Sequence, residues 1–249
     1  MQFKTIKSKY PIISHRCELS AKNVEHKFIV PNSVEVRDYQ VNLANQAKNE
    51  NCLIILPTGL GKTVVALHVI ADYLAKGNGG VLFLAPTKVL VNQHYEFLKN
   101  TLTIDDIGII TGEDLLTKRK KLWINSVICA TPETTRNDIA RKIVDTTQFN
   151  LVIFDEAHRA VGDYAYVEIA KQLSGSNVRL LGMTATLPSE KEKAKEICDN
   201  LHIRGLAERN DSSPDVKPYI QETKTEWVTV DLSSDMKVIQ RYLKLALDQ

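Results

Sequence analysis

Two clusters of residue types in this sequence are spaced as phosphate chemistry requires. The first is Pro57-Thr58-Gly59-Leu60-Gly61-Lys62-Thr63, which follows the apolar run 52–56 and opens a stretch of helical pattern. A glycine-containing turn between strand and helix presents backbone N–H groups and a helix amino terminus to an anion. Here Lys62 is expected to reach the β- and γ-phosphates of ATP and the Thr63 hydroxyl to hold Mg²⁺, with Pro57, Thr58, Gly59, Leu60 and Gly61 forming the cradle. The loop departs from G-x-x-x-x-G-K-[ST] at one place, where Leu56 stands for the first glycine.

The second cluster, Asp155-Glu156-Ala157-His158, ends the apolar run 151–154. Adjacent carboxylates at the end of a buried strand are poor packing unless a cation or a polar reaction lies there. Asp155 is expected to hold Mg²⁺, directly or through water. Glu156 is the candidate to orient and deprotonate an attacking water, with Lys62 completing the catalytic set. A solvated strand end explains the tetrapeptide alone; a P-loop in the same sheet favours hydrolysis.

The elements that must position these groups are visible as alternation. Apolar runs at 52–56, 81–85, 107–110, 127–130, 151–154 and 178–183 are separated by stretches of helical length, including 39–48 and 62–76. Short runs rich in β-branched residues and bounded by turn residues read as strands, and continuous hydrophobicity says both faces are covered. Strand–helix repetition implies an α/β fold with a mostly parallel sheet and helices on both faces, whose ligands sit beyond the carboxyl ends of the strands. Residues 1–34 read as an N-terminal extension, 35–205 as the nucleotide-binding domain, and 206–249 as a polar linker followed by a further segment. Within that segment 227–232 reads as a strand. Residues 234–247 read as an amphipathic helix with Ser233 or Ser234 as cap. That helix has no stop signal, so the chain is expected to continue in a longer protein.

Composition bounds the rest. With 43% apolar and 25% charged residues the chain has the makings of a globular core, and no apolar stretch is long enough to span a bilayer. The start lacks a signal-peptide pattern, so a cytoplasmic location is expected, nucleoid-associated were the source archaeal. Cys17, Cys52, Cys129 and Cys198 are scattered with no C-x-x-C pair, which speaks against zinc or redox chemistry. The net charge of +2 excludes a general basic field, so any nucleic-acid contact must be local.

Taken together, these residues resemble the first motor domain of superfamily 2 DEAH-box helicases, a RecA-like P-loop domain. Lacking the first P-loop glycine is usual in that superfamily. Arg37-Asp38-Tyr39-Gln40 resembles its upstream Q-motif, which implies adenine contacts for Gln40 and Arg37. Ala85-Pro86-Thr87-Lys88 with Gln93 resembles motif Ia. Thr111-Gly112 and Ala130-Thr131-Pro132-Glu133-Thr134 resemble the other strand-facing motifs. The resemblance implies nucleic-acid contacts at Pro86, Thr87, Lys88, Gln93, Thr111, Gly112, Thr131, Pro132 and Glu133. Thr184-Ala185-Thr186 resembles motif III, implying that Thr184, Ala185, Thr186 and His158 couple the ATP site to the strand-binding face. The run from Phe154 to Tyr166, and Ser213-Pro214-Asp215-Val216-Lys217-Pro218-Tyr219, narrow the likeness to the Hef and FANCM helicases of forked and branched DNA. In that group the last segment leads into a helical insertion, which 234–247 would begin.

The resemblance implies DNA as partner, held mainly through phosphates, which fix position without reading sequence. It also implies a second motor domain, because no Gln-x-x-Gly-Arg-x-x-Arg segment supplies arginine fingers here. Alone, the chain is expected to bind ATP and hydrolyse it weakly. A double-stranded RNA helicase of the Dicer or RIG-I type and an ATP-gated DNA-binding scaffold are the competing readings.

Overall fold

The computed structural model describes residues 23–77, 79–174, 177–220 and 233–247. Seven strands form one sheet: β1 (Cys52–Ile55), β2 (Gly80–Leu84), β3 (Ile107–Ile110), β4 (Val127–Ala130), β5 (Phe149–Asp155), β6 (Arg179–Thr184) and β7 (Gly205–Glu208). Every pairing is parallel and the order is β3-β4-β2-β5-β6-β1-β7. The crossovers are α2 (after β1, Lys62–Lys76), α3 (after β2, Lys88–Thr101), α4 (after β3, Leu116–Leu122), α5 (after β4, Pro132–Ala140), α6 (after β5, Ala165–Leu173) and α7 (after β6, Lys191–Asn200). α1 (Asp38–Ala47) precedes β1.

Burial follows from this layering. Every residue of β1 and β4 is buried, as a sheet covered on both faces demands. β7 is the exception: Ala207 is buried while Leu206 is 61% exposed, the alternation of an edge strand. That alternation hid it in the sequence, so the expected boundary near residue 205 falls inside the sheet. A compact unit runs on to Pro218, with Val216 fully buried. Of the expected extension, the described residues pack on this unit: Asn23 bridges Glu35, Ile29 bridges Leu102, and Val24 and Ile29 are buried.

From Tyr219 onward the chain is a separate unit. Its described element is α8 (Ser234–Leu247), whose Ser233 hydroxyl accepts from the Met236 amide at 3.3 Å, the expected cap. The strand expected at 227–232 lies outside the described residues. Among the described residues no helix is long and apolar enough to cross a membrane.

The strand order divides the rim. The carboxyl ends of β3, β4 and β2 lie on one side and those of β5, β6 and β1 on the other. The chain passes from β1 over to β2 across two strands, and such switch points are where open α/β sheets bind ligands.

Candidate nucleotide and nucleic-acid site

The loop between β1 and α2 leaves the sheet beside the end of β6. The Leu56 amide donates to the Thr184 carbonyl at 3.0 Å, one step beyond the β1–β6 ladder. The Leu56 side chain is fully buried, so the residue in the expected glycine's place contributes to the core. Gly59 and Gly61 have φ of +86° and +83°, left-handed values that disfavour side chains. α2 starts at Lys62; the Val64 and Val65 amides donate to the Gly61 carbonyl, and those of Lys62 and Thr63 precede any intrahelical acceptor.

The Lys62 ammonium donates to the Leu56 carbonyl at 3.1 Å, and among the described residues no carboxylate pairs with it. A cation held by a neutral carbonyl at a helix amino terminus is a site for an anion.

The Arg37–Gln40 segment braces the same loop from α1. Tyr39 donates its hydroxyl to the Leu60 carbonyl at 2.8 Å, and the Gln40 amide donates to that oxygen at 3.0 Å. Both side chains are buried. A Cβ on Gly61 would lie 2.4 Å from Gln40 Nε2, so a side chain here must displace the end of Gln40 as well as adopt a left-handed φ. Gln40 Oε1 is buried without a hydrogen-bond partner among the described residues. The Arg37 guanidinium reaches the Tyr39 hydroxyl at 3.4 Å.

The acidic strand end arrives at the same level. Asp155 is in register with Met183 of β6, and Met183 with Ile54 of β1. The Asp155 side chain is buried, with Oδ2 2.8 Å from His94 Nε2. Tyr166 donates its hydroxyl to the Asp155 carbonyl at 2.7 Å, and burial pushes that phenol well above its ordinary range. Glu156 follows at φ +51°, an uncommon conformation for a residue with a side chain, and one that collects at functional sites. Its Oε2 lies 3.3 Å from His158 Nδ1, which is also 3.1 Å from Thr184 Oγ1. Thr184 is fully buried, Ala185 half-buried and Thr186 exposed.

Among the described residues no group of three or more His, Cys, Asp or Glu side chains could hold a metal alone. That suits Mg²⁺, which is usually bound by one or two carboxylates together with substrate phosphates. The buried acceptor on Gln40, the unneutralised Lys62 and the carboxylates of Asp155 and Glu156 fit a nucleotide with its metal.

The β2, β3 and β4 ends carry the other group of expected residues. Thr87 caps α3, its Oγ1 accepting from the Leu90 amide at 3.3 Å, and Lys88 forms an ion pair with Glu113. Pro86 is half-buried and Gln93 exposed. The Thr111 amide and hydroxyl both donate to Asp114, and Gly112 between them is exposed. Burial would raise the Asp114 carboxyl, but its hydrogen bonds with Lys118 and Thr111 outweigh burial and hold it below the usual range. The Thr131 hydroxyl donates to that of Thr134 at 2.9 Å, Pro132 sits in the first turn of α5, and Glu133 is exposed beside it. The two expected groups of residues therefore share one rim, on adjacent halves.

No role at this site is expected from the sequence for His94, Tyr166 or Tyr39. Tyr39 lies in the Arg37–Gln40 segment and Tyr166 ends the Phe154–Tyr166 run, but each of the three reaches its partner only through the fold.

Residues 33–189 match the family described as Type III restriction enzyme, res subunit. Among curated relatives, a Methanocaldococcus jannaschii protein carrying an ATP-dependent RNA helicase description is 40% identical over 229 residues, 91% of this chain and 29% of that protein. The Schizosaccharomyces pombe ATP-dependent DNA helicase fml1 is 35% identical over 234 residues, covering 92% of this chain and 28% of the relative. The Pyrococcus furiosus Hef helicase domain, a solved structure, superposes with a TM-score of 0.74 at 42% identity, over 84% of this chain and 45% of that one. The chain thus spans under a third of the length of these curated relatives. With more than half of its residues matched and this sheet, loop and strand end in place, the chain belongs to the type III restriction enzyme res-subunit family, as a RecA-like DEAH-box motor domain similar to those of Hef and FANCM helicases.

Proposed function

We propose that the chain is the ATP-binding lobe of an ATP-driven DNA helicase or translocase acting on forked or branched DNA. The observation that carries this reading is the shared rim, with P-loop and acidic strand end at β1, β6 and β5 and the strand-facing loops at β2, β3 and β4. The protein holds ATP through the loop amides, Lys62 and Gln40, with Thr63 and Asp155 at the metal. Mg²⁺ held by these two residues would supply charge stabilisation to the phosphates during transfer. Glu156 orients and deprotonates the attacking water, and His158 holds the Glu156 carboxylate toward Thr184.

Lys88, Gln93, Thr111 and Thr131 meet the strand through its phosphates. The nearly neutral surface fits a grip that ignores sequence. Arginine fingers from a second motor domain complete the site in the whole protein, and related fingers are worth about 10³–10⁵ in rate. The Methanocaldococcus relative favours a second reading, duplex RNA as substrate.

The test is fluorescence anisotropy with a labelled fork of DNA and a blunt RNA duplex, with a non-hydrolysable ATP analogue and Mg²⁺. Analogue-dependent binding of the fork over the RNA duplex, lost in Lys62→Ala, is the expected result. Preference for the RNA duplex would establish the second reading, and nucleotide-independent binding would sink both.

A further inference from the structure

We infer that His94 is a positioning residue for Asp155, fixing the carboxylate oxygen that meets the nucleotide's metal; this rests on the metal reading of Asp155 given above. The two side chains are 9% and 7% exposed and 2.8 Å apart, so the contact is shielded from water. A carboxylate only accepts, so the proton between them sits on His94 Nε2. Oδ2 is engaged by that donor, and Oδ1, which meets no hydrogen-bond partner among the described residues, is left for the metal or a water in its shell.

The histidine is itself held in place. Its ring centroid lies 4.4 Å from that of Phe83 in β2, and its backbone belongs to the middle of α3. Tyr166 steadies the other end of Asp155 by donating to its carbonyl. The carboxylate is therefore fixed at both backbone and side chain by residues from two different crossovers. Hydrogen bonds of this outer kind orient metal-binding carboxylates, and losing one typically lowers metal affinity about 10–100-fold.

Placement sets this histidine apart from a buried residue that merely satisfies a neighbour. Lys88 opens α3 and His94 lies six residues on, roughly 9 Å along the axis at 1.5 Å per residue. One helix therefore has Thr87 and Lys88 at the strand-facing rim and, less than two turns later, the donor to Asp155.

The experiment compares His94→Gln with His94→Met in the same chain. The two side chains are nearly equal in length and leave the same space, but only glutamine keeps an N–H donor. A fluorescent ATP analogue is titrated in Mg²⁺ and in EDTA, and the ratio of the two affinities gives the metal's contribution. Melting temperatures without nucleotide report packing separately. In His94→Met the Mg²⁺ contribution is expected to fall about tenfold or more, with the EDTA affinity unchanged, and in His94→Gln it is expected to be largely restored. His94→Phe, which keeps a ring against Phe83, is expected to behave as His94→Met. An undiminished Mg²⁺ contribution in His94→Met or His94→Phe overturns the inference, and so does an equal loss in His94→Gln. Asp155→Asn is the reference: if it too keeps the full contribution, the metal is not at Asp155 and the underlying reading falls as well.

Discussion

His158 Nδ1 lies 3.1 Å from Thr184 Oγ1, across the ends of adjacent strands β5 and β6. The threonine has one hydroxyl proton, and it goes to the Thr186 carbonyl at 2.8 Å. Nδ1 must therefore be the donor to Thr184, and the Glu156 carboxylate lies 3.3 Å from the same nitrogen. One imidazole N–H thus ties the acidic tetrapeptide to the Thr-Ala-Thr turn. Thr184→Val keeps the shape and removes the acceptor. In the whole protein this change is expected to leave ATP binding intact and lower DNA-stimulated hydrolysis at least tenfold, read as kcat against KM for ATP. An unchanged DNA stimulation would show that the contact is structural only.

Gly59 and Gly61 separate backbone strain from crowding. Both have left-handed φ, so an alanine at either position costs about 1–2 kcal/mol. At Gly59 a Cβ meets nothing within 4 Å, whereas at Gly61 it meets Gln40 Nε2 at 2.4 Å. Gly61→Ala must displace Gln40 and break its bond to the Leu60 carbonyl. Gly61→Ala is expected to lower the melting temperature more than Gly59→Ala and to abolish nucleotide binding. A melting temperature in Gly61→Ala with Gln40→Ala at or above that of Gly61→Ala alone would trace the instability to that collision.

Much of this was legible in the sequence, and what was not has identifiable causes. The helix expected at 62–76 is α2, because glycine punctuation before and after it leaves little freedom. The buried strands announced themselves through continuous apolar runs. β7 did not, because an edge strand buries alternate residues and Leu206 faces outward. The P-loop and acidic motif are local patterns and so were readable. The partner of Asp155 is 61 residues away, and the Tyr166 bonds to Leu84 and Asp155 join two strand ends. Such contacts are made by the sheet order, which the spacing of motifs does not encode.

Asp138 is a stability site that the motifs also leave unmarked. It is fully buried in α5 and accepts from Arg119 at 2.8 and 2.9 Å and from the Trp123 indole at 2.9 Å. The hydrogen bond to Asp138 raises the Arg119 guanidinium further above its ordinary value. Removing one member of a buried ion pair leaves the other charge uncompensated, typically at about 3–5 kcal/mol. Asp138→Ala is expected to shift the urea unfolding midpoint by a loss of that order, and Asp138→Asn by less. Circular dichroism provides the readout. A loss under about 1 kcal/mol would mean that water replaces the carboxylate.

The pH dependence of stability near neutrality is expected to centre on His68. Its Nε2 is buried without a hydrogen-bond partner among the described residues, and burial, followed by the nearby Lys48 charge, lowers its pKa below the ordinary 6.5. Asp72 opposes this weakly, being itself paired with Lys48 and His26. The folded protein therefore holds a neutral imidazole where the unfolded chain would bind a proton. Its contribution to stability is complete above about pH 6.5 and is lost as pH falls through the lower folded value. The Asp114 carboxyl is depressed, so its contribution is lost only at lower, carboxylate pH. Melting temperature is thus expected to decline between pH 7 and pH 5, with a flatter decline in His68→Phe. Equal slopes for the two proteins would remove His68 as the cause.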